Sequence, residues 1–298
     1  MSQFSATDFD AKAYLNNRPS YPDSFYDLID RYHQGPRKLA VDVGCGPGVA
    51  TFQLAARLNS FDKIVGTDIS NTMVERARSG KNNNPDKYTQ VSFEVSSAES
   101  FGFLPSDQVD NKSVDMVTAV ECAHWFDFDK FQKAAAANLR KGGTFVIWGY
   151  SDAFFPEYPK IDSLIVELTY DKEHGFGKYW DQPGHTILRG MYRDLHLDAN
   201  LFTDVEEGYF MEDEIRSKEH VNSEPVPFFM SKFLTLNQYQ EFIKTWSGYH
   251  TWRQLHPNAK KDITEEFVDR ILEIYPELSR SSTVQVCWRS FYKFARAL

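Results

Sequence analysis

No apolar run in this chain of 298 residues approaches the ~20 residues that a helix needs to cross a bilayer, which argues against an integral membrane protein. The opening stretch, MSQFSATDFDAKAY, carries acidic residues and no apolar segment, so it does not read as a secretory signal. Cysteine is scarce: Cys45, Cys122 and Cys287 lie far apart, without the spacing of a disulfide scaffold or a paired metal site. They are expected to be reduced, mostly buried thiols of a cytoplasmic protein. Positive charge is short as well, with 33 Lys and Arg against 42 Asp and Glu and a formal net charge of −9. Nucleic acid repels such a chain unless a basic face is set apart, and the basic clusters, such as Arg37-Lys38 and Lys260-Lys261, are short. No nucleic-acid, membrane or obligate protein partner is therefore expected. Repeats and low-complexity segments are missing too, which leaves one α/β domain with insertions as the expected plan.

Aromatics are plentiful, with 24 Phe, 15 Tyr and 6 Trp, enough for a large core and an enclosed small-molecule pocket. The most informative stretch is LAVDVGCGPG at 39–48. An apolar run leads into Asp42, and Gly44, Gly46 and Gly48 follow at every second position: a buried strand, a tight turn and the start of a helix. Glycine fits a turn that needs φ > 0 or leaves no room for a Cβ. A second apolar run, IVGTDIS at 64–70, ends on Asp68, where a βαβ unit holds a ribose through its hydroxyls. A dinucleotide fingerprint would place its third glycine on Val49, one residue beyond Gly48. The acid followed by GxGxG resembles instead the pattern of class I S-adenosylmethionine (SAM) methyltransferases. A purely structural glycine turn and a dinucleotide site remain the competing readings.

The spacing predicts helices over about Ser24–His33, Val49–Leu58 and, capped by Ser70, from Met73 to Arg78. It predicts strands at Leu39–Val43, Lys63–Asp68, Val91–Val95, Ser113–Val120 and Thr144–Trp148, with a helix at Phe128–Leu139 stopped by Lys141-Gly142-Gly143. This alternation implies a parallel sheet with helices on both faces. Beyond Tyr150 it breaks; helices are expected at about His185–Leu195, Leu236–Gln254 and Glu265–Ile274, and strands at about Phe202–Phe210 and Thr283–Phe294. The expected division is an N-terminal lid at 1–35, a SAM-binding core at 36–150, and a substrate cap that also completes the sheet at 151–298.

Four further segments narrow the resemblance: Tyr14-x-x-x-Arg18-Pro19-Ser20-Tyr21-Pro22, Glu121-Cys122-Ala123-His124-Trp125-Phe126, Ile147-Trp148-Gly149-Tyr150, and Thr245-Trp246-Ser247-Gly248-Tyr249-His250-x-Trp252. Together they resemble the fungal trans-aconitate 3-methyltransferases over essentially the whole chain. The resemblance implies a Rossmann-like α/β fold with a mostly parallel sheet and an inserted cap. It places Asp42, Gly44, Gly46 and Gly48 at the methionine tail of SAM, Asp68 on the ribose, and Ile69 and Met73 against the adenine. Ser97 and Ala98 stand where an acid usually meets the adenine amine, with Glu99 two residues on. Glu121 would lie beside the methionine tail and the methyl group. The implied cofactor is SAM, leaving as S-adenosylhomocysteine, with no metal.

Methyl transfer is an in-line displacement in which alignment supplies much of the rate. A carboxylate acceptor, ordinarily of pKa near ~4, is ionised at neutral pH and needs no general base. A phenol or amine would need one, and His124 is the residue placed for it. A polyacid would need guanidinium forks, for which Arg18, Arg189 and Arg253 are the candidates. Tyr21, His124, Trp125, Tyr150 and Trp180 would complete the wall. The expected reaction is esterification of a small polyacid, most simply trans-aconitate; a xenobiotic, a quinone precursor or a protein side chain is the alternative acceptor. A SAM-binding module without turnover is the reading from another class.

Overall fold

The computed structural model describes residues 18–213 and 228–298. Tyr14, most of the expected lid and residues 214–227 of the expected cap lie outside the described residues. The first strands, β1 (Leu39–Val43), β2 (Lys63–Asp68), β3 (Val91–Val95) and β4 (Val114–Val120), alternate with α1 (Asp23–Tyr32), α2 (Val49–Arg57) and α3 (Asn71–Asn82). Next come α4 (Phe128–Asn138), β5 (Leu139–Phe154), α5 (Lys160–Tyr170), α6 (Gly184–Arg189), β6 (Phe202–Phe210) and β7 (Met230–Thr235). The described chain closes with α7 (Leu236–Lys244), α8 (Ser247–Leu255), α9 (Ile263–Ile274) and β8 (Thr283–Ala297).

The strand order is β3-β2-β1-β4-β5-β8-β6, with β7 also paired to β8. Strands β1 to β5 run parallel, and β8 lies antiparallel to β5. One edge of β8 is shared, β7 taking Thr283–Trp288 and β6 taking Ser290–Ala297. The central strands are buried on both faces, as the apolar runs LAVDV and VDMVTAV require. Alternate residues feed two cores: Ala40, Ile64, Met116 and Val146 join α1, α2, α5 and α7, while Val41, Val65, Val117 and Phe145 join α4 and the segment around Tyr192. This is the Rossmann-like, mostly parallel arrangement that the alternation predicts.

Three local expectations are corrected. Lys141-Gly142-Gly143 does not separate α4 from β5; the strand begins at Leu139 and runs to Phe154, with the glycine stretch bulged out between the Val114–Leu139 and Met116–Thr144 pairs. Leu139 already pairs with Val114 of β4 before the glycines, and pairing with β8 begins after them, at Thr144. The helix expected over 236–254 is two helices, because the Thr245 hydroxyl donates to the Phe242 carbonyl at 2.7 Å and Trp246 adopts an extended conformation. The helix expected at 185–195 ends at Arg189, since Met191 and Tyr192 turn to φ of 53° and 55°.

Candidate active site

After β1 the chain turns through Gly44, Gly46 and Gly48, all at positive φ (69°, 54° and 88°). A Cβ on Gly44 would lie 2.7 Å from Cys122 Sγ, so the turn sits hard against the end of β4. A Cβ on Gly46 would meet nothing within 4 Å; this glycine borders open space. The Asp68 carboxylate ties the ends of β1 and β2 together, Oδ2 accepting from Gly46 N–H at 2.9 Å and Oδ1 from Ser70 N–H at 2.8 Å. Burial raises its pKa, and the two amides pull it down. Each oxygen keeps lone pairs free for further donors. Ser70 also caps α3, its hydroxyl accepting from Met73 N–H at 3.4 Å.

These groups open onto a cavity of about 430 Å³. It lies at the carboxyl ends of β1 to β4, across the point between β1 and β4 where the strand order reverses. That crevice is where open parallel sheets bind ligands, and the volume suits a small-molecule site. Gly44, Gly46, Asp68, Ile69, Met73, Ser97, Ala98 and Glu99 line one part of it. Arg18, Tyr21, Glu121, His124, Trp125, Tyr150, Trp180 and Arg189 line the rest. Three expected residues stand apart. Asp42 is fully buried behind the turn, accepting from the hydroxyls of Thr51 at 2.5 Å and Thr118 at 2.8 Å, and burial raises its pKa to about 6. Gly48 packs against Phe93 and Phe52, and Arg253 is exposed on α8 away from the cavity.

Glu121 follows β4 at a φ of 56°, a conformation that costs a non-glycine residue about 1–3 kcal/mol and must be held by its surroundings. Its Oε2 accepts from Tyr150 N–H at 2.8 Å and rests against Gly149, where a Cβ would collide with it. Its remaining edge faces the cavity. Burial pushes its carboxyl up to about 8, opposed by the Tyr150 amide and by Arg18. Arg18 in turn donates to the Tyr150 hydroxyl at 2.6 Å and to Thr245 Oγ1 at 3.2 Å, with its guanidinium 5.6 Å from the Phe242 ring. The segment at 18–21 is thus moored to β5 and α7 across the cavity.

The other wall is aromatic. Trp180 donates its indole N–H to the Thr169 carbonyl at 2.7 Å, and His185 stacks on it at 4.0 Å and 6°. Burial, aided by Arg189, lowers the His185 pKa to about 4; burial, aided by His185, lowers that of His124 to about 3. The Arg189 guanidinium lies 3.6 Å above the Tyr170 ring. The Tyr170 hydroxyl donates to Asp152, whose other oxygen accepts from Arg289 at 3.3 Å. Trp125, 42% exposed, stands over Gly184, where a Cβ would come within 2.7 Å of its ring. Asp152, Tyr170 and His185 were not foreseen; His185 and Arg189 at i and i+4 of α6 share a helix face, and that spacing was the one available signal. Among the described residues no group of three His, Cys, Asp or Glu could hold a metal, and no helix is long and apolar enough to span a membrane.

A parallel sheet with a glycine turn and an acid-tipped second strand at its switch point defines a Rossmann-like methyltransferase fold. A model of the family described as methyltransferase domain matches residues 36–179. The probable S-adenosylmethionine-dependent methyltransferase CRG1 of Saccharomyces cerevisiae is 30% identical over 291 residues, 97% of this chain and 96% of that protein. A provisionally assigned methyltransferase of Dictyostelium discoideum is 27% identical, covering 89% of this chain and 84% of its own. The solved structure of a provisionally assigned type II methyltransferase from Anaeromyxobacter dehalogenans superposes with a TM-score of 0.69 at 20% identity, over 94% of this chain and 97% of that one. The chain belongs to the SAM-dependent methyltransferase family. Its residues fit the cofactor: the space at Gly46 is open, and Asp68 retains acceptor capacity for ribose hydroxyls.

Proposed function

We propose that this methyltransferase forms a methyl ester on a carboxylate of a small polyacid, trans-aconitate in the first instance. The observation that carries the reading is a cavity with guanidinium groups on two walls, Arg18 beside Tyr150 and Arg189 on Tyr170, whose two imidazoles are both held neutral. An imidazole of pKa about 3 or 4 cannot retain a proton at neutral pH and is a poor base. A carboxylate needs none. Each arginine offers a planar fork to a carboxylate. Burial favours the neutral form of Glu121 until the cationic cofactor binds. Gly44, Gly46, Asp68, Ile69, Met73, Ser97 and Ala98 would hold the cofactor, which when bound supplies an electrophilic methyl group. Tyr21, Trp125, Tyr150 and Trp180 wall the acceptor in, and His124 serves as a hydrogen-bonding group. Residues 1–35 would act as lid, 36–150 as cofactor core and 151–298 as cap and completed sheet. Cys45, Cys122 and Cys287, buried and not joined by disulfide bonds, suit a reducing, cytoplasmic setting.

One observation favours a second reading, a phenolic acceptor such as a xenobiotic or quinone precursor. The wall of Trp125, Tyr170, Trp180 and Trp246 suits a flat ring, and Glu121, once ionised, is tuned to act as its base. Labelled SAM incubated with trans-aconitate, cis-aconitate, citrate, isopropylmalate and a phenol panel separates the two. A base-labile product from trans-aconitate supports the ester reading; a base-stable methyl group, or silence on every acid, overturns it.

A further inference from the structure

Tyr192 lies beyond α6, fully buried, in a backbone conformation that strains a tyrosine. Two consecutive positive-φ residues, Met191 and Tyr192, aim its phenol beneath the short helical turn Ala123–Trp125. There the hydroxyl lies 2.7 Å from His124 Nδ1, while the ring packs on Phe291 at 4.6 Å. Buried there, the phenol's own proton needs an acceptor. Among the described residues it has none but His124 Nδ1. If Nδ1 carried the imidazole proton, the phenol hydrogen would be buried without a partner, which folded proteins avoid.

The same geometry decides what the cavity meets. His124 Nε2 has no hydrogen-bond partner among the described residues, yet it is not one of the buried unpartnered atoms. The ring's small exposed surface lies where His124 borders the cavity. We infer that Tyr192 is a positioning residue that donates to His124 Nδ1, leaving the imidazole proton on Nε2 as a hydrogen-bond donor facing the acceptor. Placing a carboxylate opposite that donor rests on the ester reading above; the tautomer does not. A fixed neutral donor orients an anionic oxygen without taking its lone pair, whereas a neutral imidazole with bare Nε2 would repel it.

The test uses the full chain with ring-labelled ¹⁵N-histidine and long-range ¹H–¹⁵N correlation, His124 being identified by its loss in His124→Gln. The expected result is a single Nε2–H tautomer in the unmodified protein and loss of that single pattern in Tyr192→Phe. In the same variant the KM for trans-aconitate should rise about tenfold with SAM affinity and kcat little changed, the scale of one hydrogen bond to a charged group. A proton on Nδ1 in the unmodified protein overturns the inference, as does an unchanged tautomer in Tyr192→Phe. If SAM affinity falls in step with acceptor affinity, Tyr192 is only structural. Should Tyr192→Phe fail to fold, the spectrum of the unmodified protein still decides. Should no polyacid be methylated while the Nε2–H tautomer is found, the ester reading falls and the positioning role stands.

Discussion

The two ends of the cavity are built from different materials. At the end proposed for the cofactor, four neighbouring strand tips contribute short runs of chain, and much of the lining is backbone: the turn at 44–48, the Ser70 and Gly46 amides gathered on Asp68, and the Ser97-Ala98 stretch. At the end proposed for the acceptor, side chains arrive from segments far apart in sequence, Arg18 reaching Tyr150 and Thr245, and Arg189 lying on Tyr170. A main-chain site depends on glycines and strand order. A side-chain site depends on which loops and helices are laid over the sheet, and so can change acceptor without disturbing the cofactor.

Breaking the cofactor end should have the largest effect. Asp68→Ala leaves the Gly46 and Ser70 amides without their acceptor and is expected to weaken SAM binding by about 10- to 100-fold in calorimetry, whatever acceptor is present. If SAM affinity is unchanged, the ribose assignment is wrong. Next in size, Arg18→Ala should raise the acceptor KM by about tenfold or more with SAM affinity unchanged, while Arg253→Ala, at an exposed position of α8, changes neither. Equal effects of the two substitutions would remove Arg18 from the acceptor wall.

Glu121 sits where the two ends meet and sharpens the contrast by pH. Its carboxyl, at about 8 in the folded protein against an ordinary 4.5, is protonated at neutral pH. A cationic cofactor favours its ionised form, so SAM binding at pH 7 should release protons, seen as a buffer-dependent heat that Glu121→Gln abolishes. The folded state holds this extra proton between pH 4.5 and about 8, so its stabilising contribution is complete below 4.5 and lost as pH rises through 8. The melting temperature of the cofactor-free protein should therefore fall relative to Glu121→Gln over that range. A constant difference would show that Glu121 titrates normally. The smallest expected effect on binding is that of Asp42→Asn, which acts behind the turn. SAM affinity should change less than in Asp68→Ala, while the stability difference from the unmodified protein shifts between pH 4 and 7, as Asp42 loses its proton near 6 instead of 3.8.

The same contrast explains what was legible in the sequence. The strands Lys63–Asp68 and Val91–Val95 fall where the apolar runs predict, and the glycine turn and Asp68 meet in one cavity, because neighbouring residues and strand order alone bring them together. The acid of the glycine motif was misplaced, since a strand residue's face depends on the helix packed over it, and Asp42 turns to Thr51 of α2. On the acceptor side, helix α5 and strand β7 went unforeseen, and with α5 went Tyr170, which seats Arg189. Tyr192 carries no local signal; its role comes from two strained residues after a six-residue helix and from a partner 68 positions earlier.

The most direct test of the division between the two ends is a structure of the complex with S-adenosylhomocysteine and trans-aconitate. The account predicts the ribose on Asp68 and the acid's carboxylates on Arg18 and Arg189, with one of them turned toward the sulfur. An acid absent at saturating concentration, or seated with both arginines turned away, would contradict it.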